Sequence, residues 1–537
     1  MPILAMGQTE QGEIEDSQIE IRKDIAIKLP ETAKPVEKIN TPLKPVVAEP
    51  LTYSYTDYKL NLPDVDSKVK VITMKTDPLN EIFGTKVSGG IGTYFTTYLE
   101  GWHTAKRSDK IDYGIHFKHL AAANGPSSVN KSGSGNNKLE AWSTYYQEKF
   151  QISGDLAYNR DRYNFFGYRF SGTEREIKSD SLKQVFTNIR FRASIGNMHL
   201  NKDFVYKAGF EYSNFANSFN ANESEIIIKG EGSYTLNKDS KLVFGTENSL
   251  IQYQDTTNLS RTLFQFRPAY SYSKNKLGIV AGVNVALDND SLANNSPFRI
   301  YPNVQASYTL VPNKLTLYSG VTGDTRKRSL RLLTAENPWL APKTTLSNSD
   351  EKVNAYIGLK GSSKDGFNWN LQTGYKSVSN FLTYLNSPTD SAKFLTVYDR
   401  GNCGIFNIAA SAGYSNAQGF KMGLGFDYNN YSLDKLKQAW QIPAMQSNVM
   451  IGYLYKQKIG ADLWVKTYSN LKTLQPSNGK EIELKGFVDL DLRLNYKLSD
   501  KGSVFVMADN LLSQKKQRYL YYQTRGIMLM AGGSYSF

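Results

Sequence analysis

Cysteine is nearly missing from this sequence: Cys403 is the single one in 537 residues. Neither an internal disulfide nor a cysteine zinc cluster can therefore form. Histidine is scarce too, with four residues, and no G-x-S-x-G, H-E-x-x-H, P-loop or paired-cysteine signature occurs. The sequence thus offers no catalytic constellation, no resident metal and no cofactor, and the chain is not expected to be an enzyme. Long apolar runs are absent as well. With 40% hydrophobic residues and a mean hydropathy of -0.46, no stretch approaches the roughly 20 consecutive apolar residues of a membrane helix. A helical membrane protein is excluded.

What is present is aromatic and turn-rich. Tyr 35, Phe 26 and Gly 41, with abundant Asn, Ser and Thr, form a strand-and-turn composition that also excludes collagen and coiled coil. The balance of 64 Lys+Arg against 50 Asp+Glu gives +14, yet the basic residues are spread along the whole chain. Their densest cluster, Arg326-Lys327-Arg328 with Arg331, sits in one loop. Diffuse charge of this kind fits solvated loops and a polar lumen, not a nucleic-acid stripe.

Met1 to Gly7 is apolar with small residues at Ala5 and Gly7 and reads as the remnant of a signal peptide, placing the mature start near Gln8 beyond the inner membrane. Residues 8–84 read as an extended periplasmic arm. Pro30, Pro35, Pro42, Pro45, Pro50, Pro63 and Pro78 break it too often for a compact domain. Within it Ile19, Ile21, Ile25 and Ile27 alternate with polar residues, as a strand that adds to a partner's sheet would.

From Thr85 to Phe537 the pattern repeats: strict alternation, a short polar turn, alternation again, then a longer polar loop. Phe367, Trp369, Leu371, Thr373 and Tyr375 share one face against Asn368, Asn370, Gln372, Gly374 and Lys376. Val488, Leu490, Leu492, Leu494 and Tyr496 likewise oppose Asp489, Asp491, Arg493, Asn495 and Lys497, so Asp489, Asp491 and Arg493 are expected to face the lumen and satisfy one another across neighbouring strands. About 21 or 22 such runs, near the ~9–11 residues that cross a bilayer at a tilt, make one closed antiparallel transmembrane barrel of about 22 strands. The count is short by one if Lys86 to Thr104, here taken as a single long strand, is more than one.

Connections alternate in length. Leu236 to Lys241, Ser273 to Lys276 and Gly361 to Gly366 are short, whereas Ala123 to Lys138, Gly167 to Leu182, Asp288 to Arg299, Arg326 to Asp350 and Leu433 to Ser447 are long and polar, as outer loops are. Tyr145-Tyr146, Tyr163 to Tyr168 and Tyr519 to Tyr522 are expected in headgroup girdles, and Arg160, Asp161 and Arg162 to form ion pairs at a strand end beneath one of them. His116 and His119, three apart on a strand, fall on opposite faces and cannot share a metal; His103 and His199 have no motif around them.

The final strand, Met528 to Phe537, carries Gly532, Tyr535 and a terminal Phe537. It resembles the carboxy-terminal assembly signal of Gram-negative outer-membrane barrels, with Met530 departing from that pattern. Ala508-Asp-Asn-Leu-Leu512, Tyr519 and Arg525-Gly526, together with Glu336-Asn-Pro-Trp-Leu340 leading into Val353 to Lys360, are similar to the TonB-dependent receptors of the outer membrane. That resemblance implies the cell outer membrane, its lipid and its insertion machinery as surroundings, and transport across it as function. It also implies an amino-terminal plug. The roughly 80 residues ahead of the first strand are too few and too Pro-rich for one, since a barrel of about 22 strands needs a folded domain to fill it. The expectation is therefore a plug-less transport barrel, its arm meeting a periplasmic protein or energy-coupling partner; the alternative is a plug-less structural scaffold recruiting a periplasmic partner within an outer-membrane complex. In either case the lumen needs closing, and the arm or the loop Arg326 to Asp350, with Trp339 and Leu340, is the expected stopper.

Overall fold

The computed structural model describes residues 82–537, apart from 107, 127–131, 169–181, 199–201, 291 and 293–295. Residues 1–81, with the signal remnant and Ile19, Ile21, Ile25 and Ile27, lie outside the described residues. The described residues form one 22-stranded antiparallel sheet and two small two-stranded ones, Leu471–Leu474 with Glu481–Leu484 and Gln517–Tyr519 with Tyr522–Gln523. The large sheet closes where the first strand, Thr85–Gly92, pairs with the last, Met528–Ser536, in a register that sets Lys86 opposite Ser536 and Gly92 opposite Met530. Thr85 and Phe537 then exchange backbone hydrogen bonds of 3.0 and 2.9 Å. Closure leaves no unpaired edge, which is what permits a sheet to stand in lipid.

The alternation seen in the sequence decides which face meets what. Phe367, Leu371 and Tyr375 are exposed on the outer wall, as are Val488, Leu494 and Tyr496, while their polar neighbours turn inward. An apolar exterior around a polar interior is the arrangement of an outer-membrane barrel. The long loops, 327–348, 433–444, 469–486 and 510–527 among them, lie at one rim together with the short turns 93–95, 218–221 and 255–257, whereas the other rim has only connections of seven residues or fewer, so the long-loop rim is the extracellular one. Wall height is uneven. Phe367–Asn386 and Phe394–Ser415 run for 20 and 22 residues, far more than the ~9–11 that span a bilayer, so they rise above it. At the seam the first and last strands have only 8 and 9 residues.

Lys86 to Thr104 is not one strand. It is two, Thr85–Gly92 and Thr96–Thr104, joined by a turn in which Tyr94 and Phe95 take φ values of 58° and 50°. Bulky L-residues seldom adopt this conformation, and each costs on the order of 1–2 kcal/mol there. Tertiary contacts hold it: Tyr94 O accepts the Asn124 N–H at 3.2 Å, the Arg525 guanidinium lies 6.0 Å from the Tyr94 ring centroid, and Thr96 Oγ1 donates to Thr93 O at 2.7 Å.

The seam also explains a glycine. Gly532 faces inward beneath the Phe505 ring, and a Cβ there would meet Gly89 O at 2.2 Å and the ring at 2.4 Å. Tyr535 and Phe537, 53% and 54% exposed, point outward with ring centroids 6.1 Å apart.

Candidate functional site

Among the described residues the extracellular mouth is covered chiefly by two loops that fold inward, residues 327–348 and 510–527, and parts of 433–444 and 469–486 pack against the second through Gln441, Leu471 and Leu484. In the first, Ser329 accepts the Leu332 N–H at 3.3 Å and so caps a short helix, Leu330–Glu336, whose Leu330 and Leu333 share the buried side. The capped end meets an anion from the wall. Glu223, near the top of the strand Asn222–Asn237, accepts the Leu330 and Arg331 N–H groups at 2.6 and 3.0 Å, using donors that a helix start leaves free.

Beyond the helix, Asn337 Oδ1 accepts the Trp339 N–H at 3.0 Å, and Leu340 bridges Phe394 in parallel. The chain is thereby laid against the inner side of the tall wall. Trp339 stacks on Tyr522 of the second loop at 4.0 Å, and its Nε1 donates to Asn164 O at 3.2 Å. Tyr519 OH donates to Glu336 O at 2.9 Å. Leu333, Leu340, Leu346, Tyr384, Phe394 and Tyr519 belong to one buried cluster that takes residues from both loops and from strand tops. A small hydrophobic core thus sits across the mouth of a polar barrel.

Charge surrounds that core. Glu225, 1% exposed, pairs with Lys327 Nζ at 2.6 Å and Arg331 Nη2 at 3.0 Å, and Arg331 also reaches Glu211 at 3.7 Å. Burial pulls the Arg331 guanidinium down, but the Glu225, Glu211 and Glu223 carboxylates outweigh it and hold it above its ordinary value. On the far side of the loop Arg261 pairs with Asp290 at 3.3 Å and donates to Arg328 O at 2.6 Å. Asn348 receives a further bond from Arg261 and donates to Asp288 at 3.1 Å. Arg525 ties the second loop to its neighbours through Asn124 O at 2.9 Å and Ser134 Oγ at 3.2 Å; burial lowers it to about 10.

Beneath the roof lies a cavity of about 180 Å³ with Trp339, Tyr519 and Tyr522 above and Asp489, Asp491 and Lys516 at its side. Asp489 and Asp491 therefore face inward as the alternation requires. They are not paired with Arg493. Asp489 binds Lys516 of the second loop, Asp491 accepts the Asn510 N–H at 3.0 Å, and Arg493, deeper in the barrel, lies 5.5 Å from the Phe505 ring centroid. The loop supplies the partner that the neighbouring strand was expected to supply.

Two other expectations need correcting. Tyr519 and Tyr522 are 3% exposed and belong to the roof, not to a girdle, and Phe165, Phe166 and Tyr163 join the same packing. Asp161 turns inward to Asn136 while Arg160 and Arg162 point outward, because residues one apart on a strand occupy opposite faces, and among the described residues none of the three forms the expected ion pair. His116 is buried, stacked on Trp102 at 3.5 Å and bonded to Glu100 at 2.9 Å. His119, on the other face as expected, meets Asn137 and Thr97. His103 meets Thr85 Oγ1 at 2.8 Å, and His199 lies outside the described residues. The residues that sequence reasoning did not single out are Glu211, Glu223 and Glu225. Their signal was complementarity: two carboxylates two apart in one strand, and the densest basic cluster in a distant loop.

No family model and no curated protein matches the chain. Solved structures do. The siderophore receptor PirA from Acinetobacter baumannii aligns with a TM-score of 0.65 and 12% identity over 86% of this chain and 81% of that one. The FrpB iron transporter from Neisseria meningitidis (F5-1 variant) gives 0.65 and 10% over 86% and 83%. A ferric enterobactin receptor (PfeA) mutant from Pseudomonas aeruginosa gives 0.61 and 12% over 84% and 80%. At such identity the likeness is one of fold. The barrel is an outer-membrane one, and its architecture is that of the TonB-dependent-receptor type.

Proposed function

We infer that the chain is an outer-membrane uptake protein that takes a solute from the extracellular side through a mouth closed at rest by the loops 327–348 and 510–527. The observation that carries this reading is the roof itself. Its two halves come from separate loops and meet through a few side chains, Trp339 on Tyr522 and Tyr519 on Glu336, so they can part without unpairing the barrel. Likeness to proteins titled siderophore receptor and iron transporter makes ferric siderophores the first solutes to try. In the same reading residues 8–84 form the periplasmic arm, with Ile19, Ile21, Ile25 and Ile27 available for strand addition to an energy-coupling partner.

Cells producing the chain, starved of iron and offered a panel of radiolabelled ferric siderophores, should accumulate at least one above the level of cells lacking it. Deleting residues 8–84 while keeping the barrel inserted should abolish that accumulation. Equal accumulation with and without the chain across the panel would overturn the siderophore assignment; unchanged uptake after the deletion would remove the arm from the mechanism.

A further inference from the structure

The outer wall over four adjacent strands, Ile111–Ala122, Ser134–Tyr146, Gln151–Asn164 and Lys183–Gly196, is tiered by its register. Phe117, Leu139, Tyr158 and Ile189 lie side by side in one tier, and all four are exposed apolar surface. Two residues further toward the long loops, a rise of about 6.8 Å along the strand, Arg160 takes the place of Tyr158 between Asn137 and Thr187. Another two residues on stands Arg162. The wall thus changes from hydrocarbon to cation within one tier, at the level where an apolar band meets the headgroups of the extracellular leaflet.

Neither arginine has an acid to neutralise it among the described residues. Asp161 between them faces the lumen and is bonded to Asn136. Arg162 Nε is buried without a hydrogen-bond partner. A guanidinium left unpaired beside lipid is expensive, whereas the same fork matches a phosphate with two parallel hydrogen bonds. We propose that Arg160 and Arg162 form an exterior site for the phosphate of a lipid headgroup in the extracellular leaflet, with Tyr158, Leu139 and Ile189 below seating its acyl chains. The site belongs to the membrane wall and is independent of what the barrel transports.

The test is native mass spectrometry of the full chain in detergent, incubated with bis-phosphorylated lipid A or with the same glycolipid stripped of phosphate. The wild type should retain the phosphorylated lipid and release the other. R160Q/R162Q should hold the phosphorylated lipid about tenfold less tightly per arginine, and R160K/R162K should fall between, since an ammonium offers charge without the fork. Heat-modifiable mobility on a gel shows that each variant is folded; should the glutamine variant fail to fold, the two lipids compared on the wild type still decide. Equal retention of both lipids by the wild type, or unchanged retention by R160Q/R162Q, overturns the proposal. So does displacement of the lipid by millimolar inorganic phosphate, which would mark a site for the free ion.

Discussion

Glu225→Gln should loosen the roof without unfolding the barrel. Glu225 is the shared anion of Lys327 and Arg331, at 2.6 and 3.0 Å, and neutralising it leaves a buried lysine and a half-buried arginine short of charge. Breaking such a buried network from one side costs on the order of 3–5 kcal/mol. The lower end applies here, because Lys327 keeps Ser249 Oγ at 3.1 Å and Arg331 keeps Glu211 at 3.7 Å. A loss of about 3 kcal/mol raises the open fraction of the loop about a hundredfold. Amide hydrogen exchange followed by mass spectrometry reads that fraction directly, since the Leu330 and Arg331 N–H groups are bonded to Glu223 only when the loop is seated. Peptides from 327–348 should exchange about a hundredfold faster, with strand peptides unchanged, and Lys327→Met added to Glu225→Gln should recover part of the protection by removing one stranded cation. Unchanged exchange of the loop in E225Q, or an equal acceleration of loop and strands, would refute the idea that this carboxylate latches a separable roof.

Trp339→Ala removes the ring that stacks on Tyr522 at 4.0 Å; it should cost about 3 kcal/mol and speed exchange in both roof loops, 327–348 and 510–527. Gly532→Ala forces a Cβ to within 2.2 Å of Gly89 O, whereas at Gly533 the nearest atom is Ser503 O at 3.5 Å. Heat-modifiable gel mobility across a urea series should therefore show G532A destabilised by about 1–3 kcal/mol and G533A close to wild type. Deleting Phe537 removes both backbone bonds to Thr85 that flank the closing ladder and one of the two outward rings of the last strand. Outer-membrane levels of the truncated chain, measured by immunoblot, should drop far below those of a chain lacking any one residue of the arm.

The barrel was legible because its driving pattern is local. Period-two alternation in Phe367 to Lys376 or Val488 to Lys497 assigns each side chain to lipid or lumen without knowledge of any partner strand, and the long polar loops mark one rim even though short turns such as 93–95 and 255–257 share it. The one miscounted element failed for a local reason too. The turn at Thr93–Phe95 has no Asn-Gly or similar pair, and its unfavourable backbone is held by Asn124 and Arg525, far away in sequence. The roof was legible only in part. Trp339 and Leu340 stood out as apolar residues in a polar loop, yet nothing local says that Tyr522, 183 residues after Trp339 by subtraction of their numbers, would stack on that ring. The same long reach hid Glu223 and Glu225, whose partners Leu330, Arg331 and Lys327 lie about a hundred residues on. Asp489 and Asp491 were placed on the correct face, because alternation fixes the face. Their partners came from a loop, which alternation does not describe.

In this reading inward-folded extracellular loops close the barrel, and planar-bilayer conductance reads that closure. The intact chain should pass no large steady current, while a chain in which residues 330–346 are replaced by a short Gly/Ser linker should pass one, because the helix Leu330–Glu336 and Trp339 are then gone and Tyr519 and Tyr522 lose the surface they pack on. Large steady currents from the intact chain, or a loop-replaced barrel as closed as the wild type, would show that these loops do not close it.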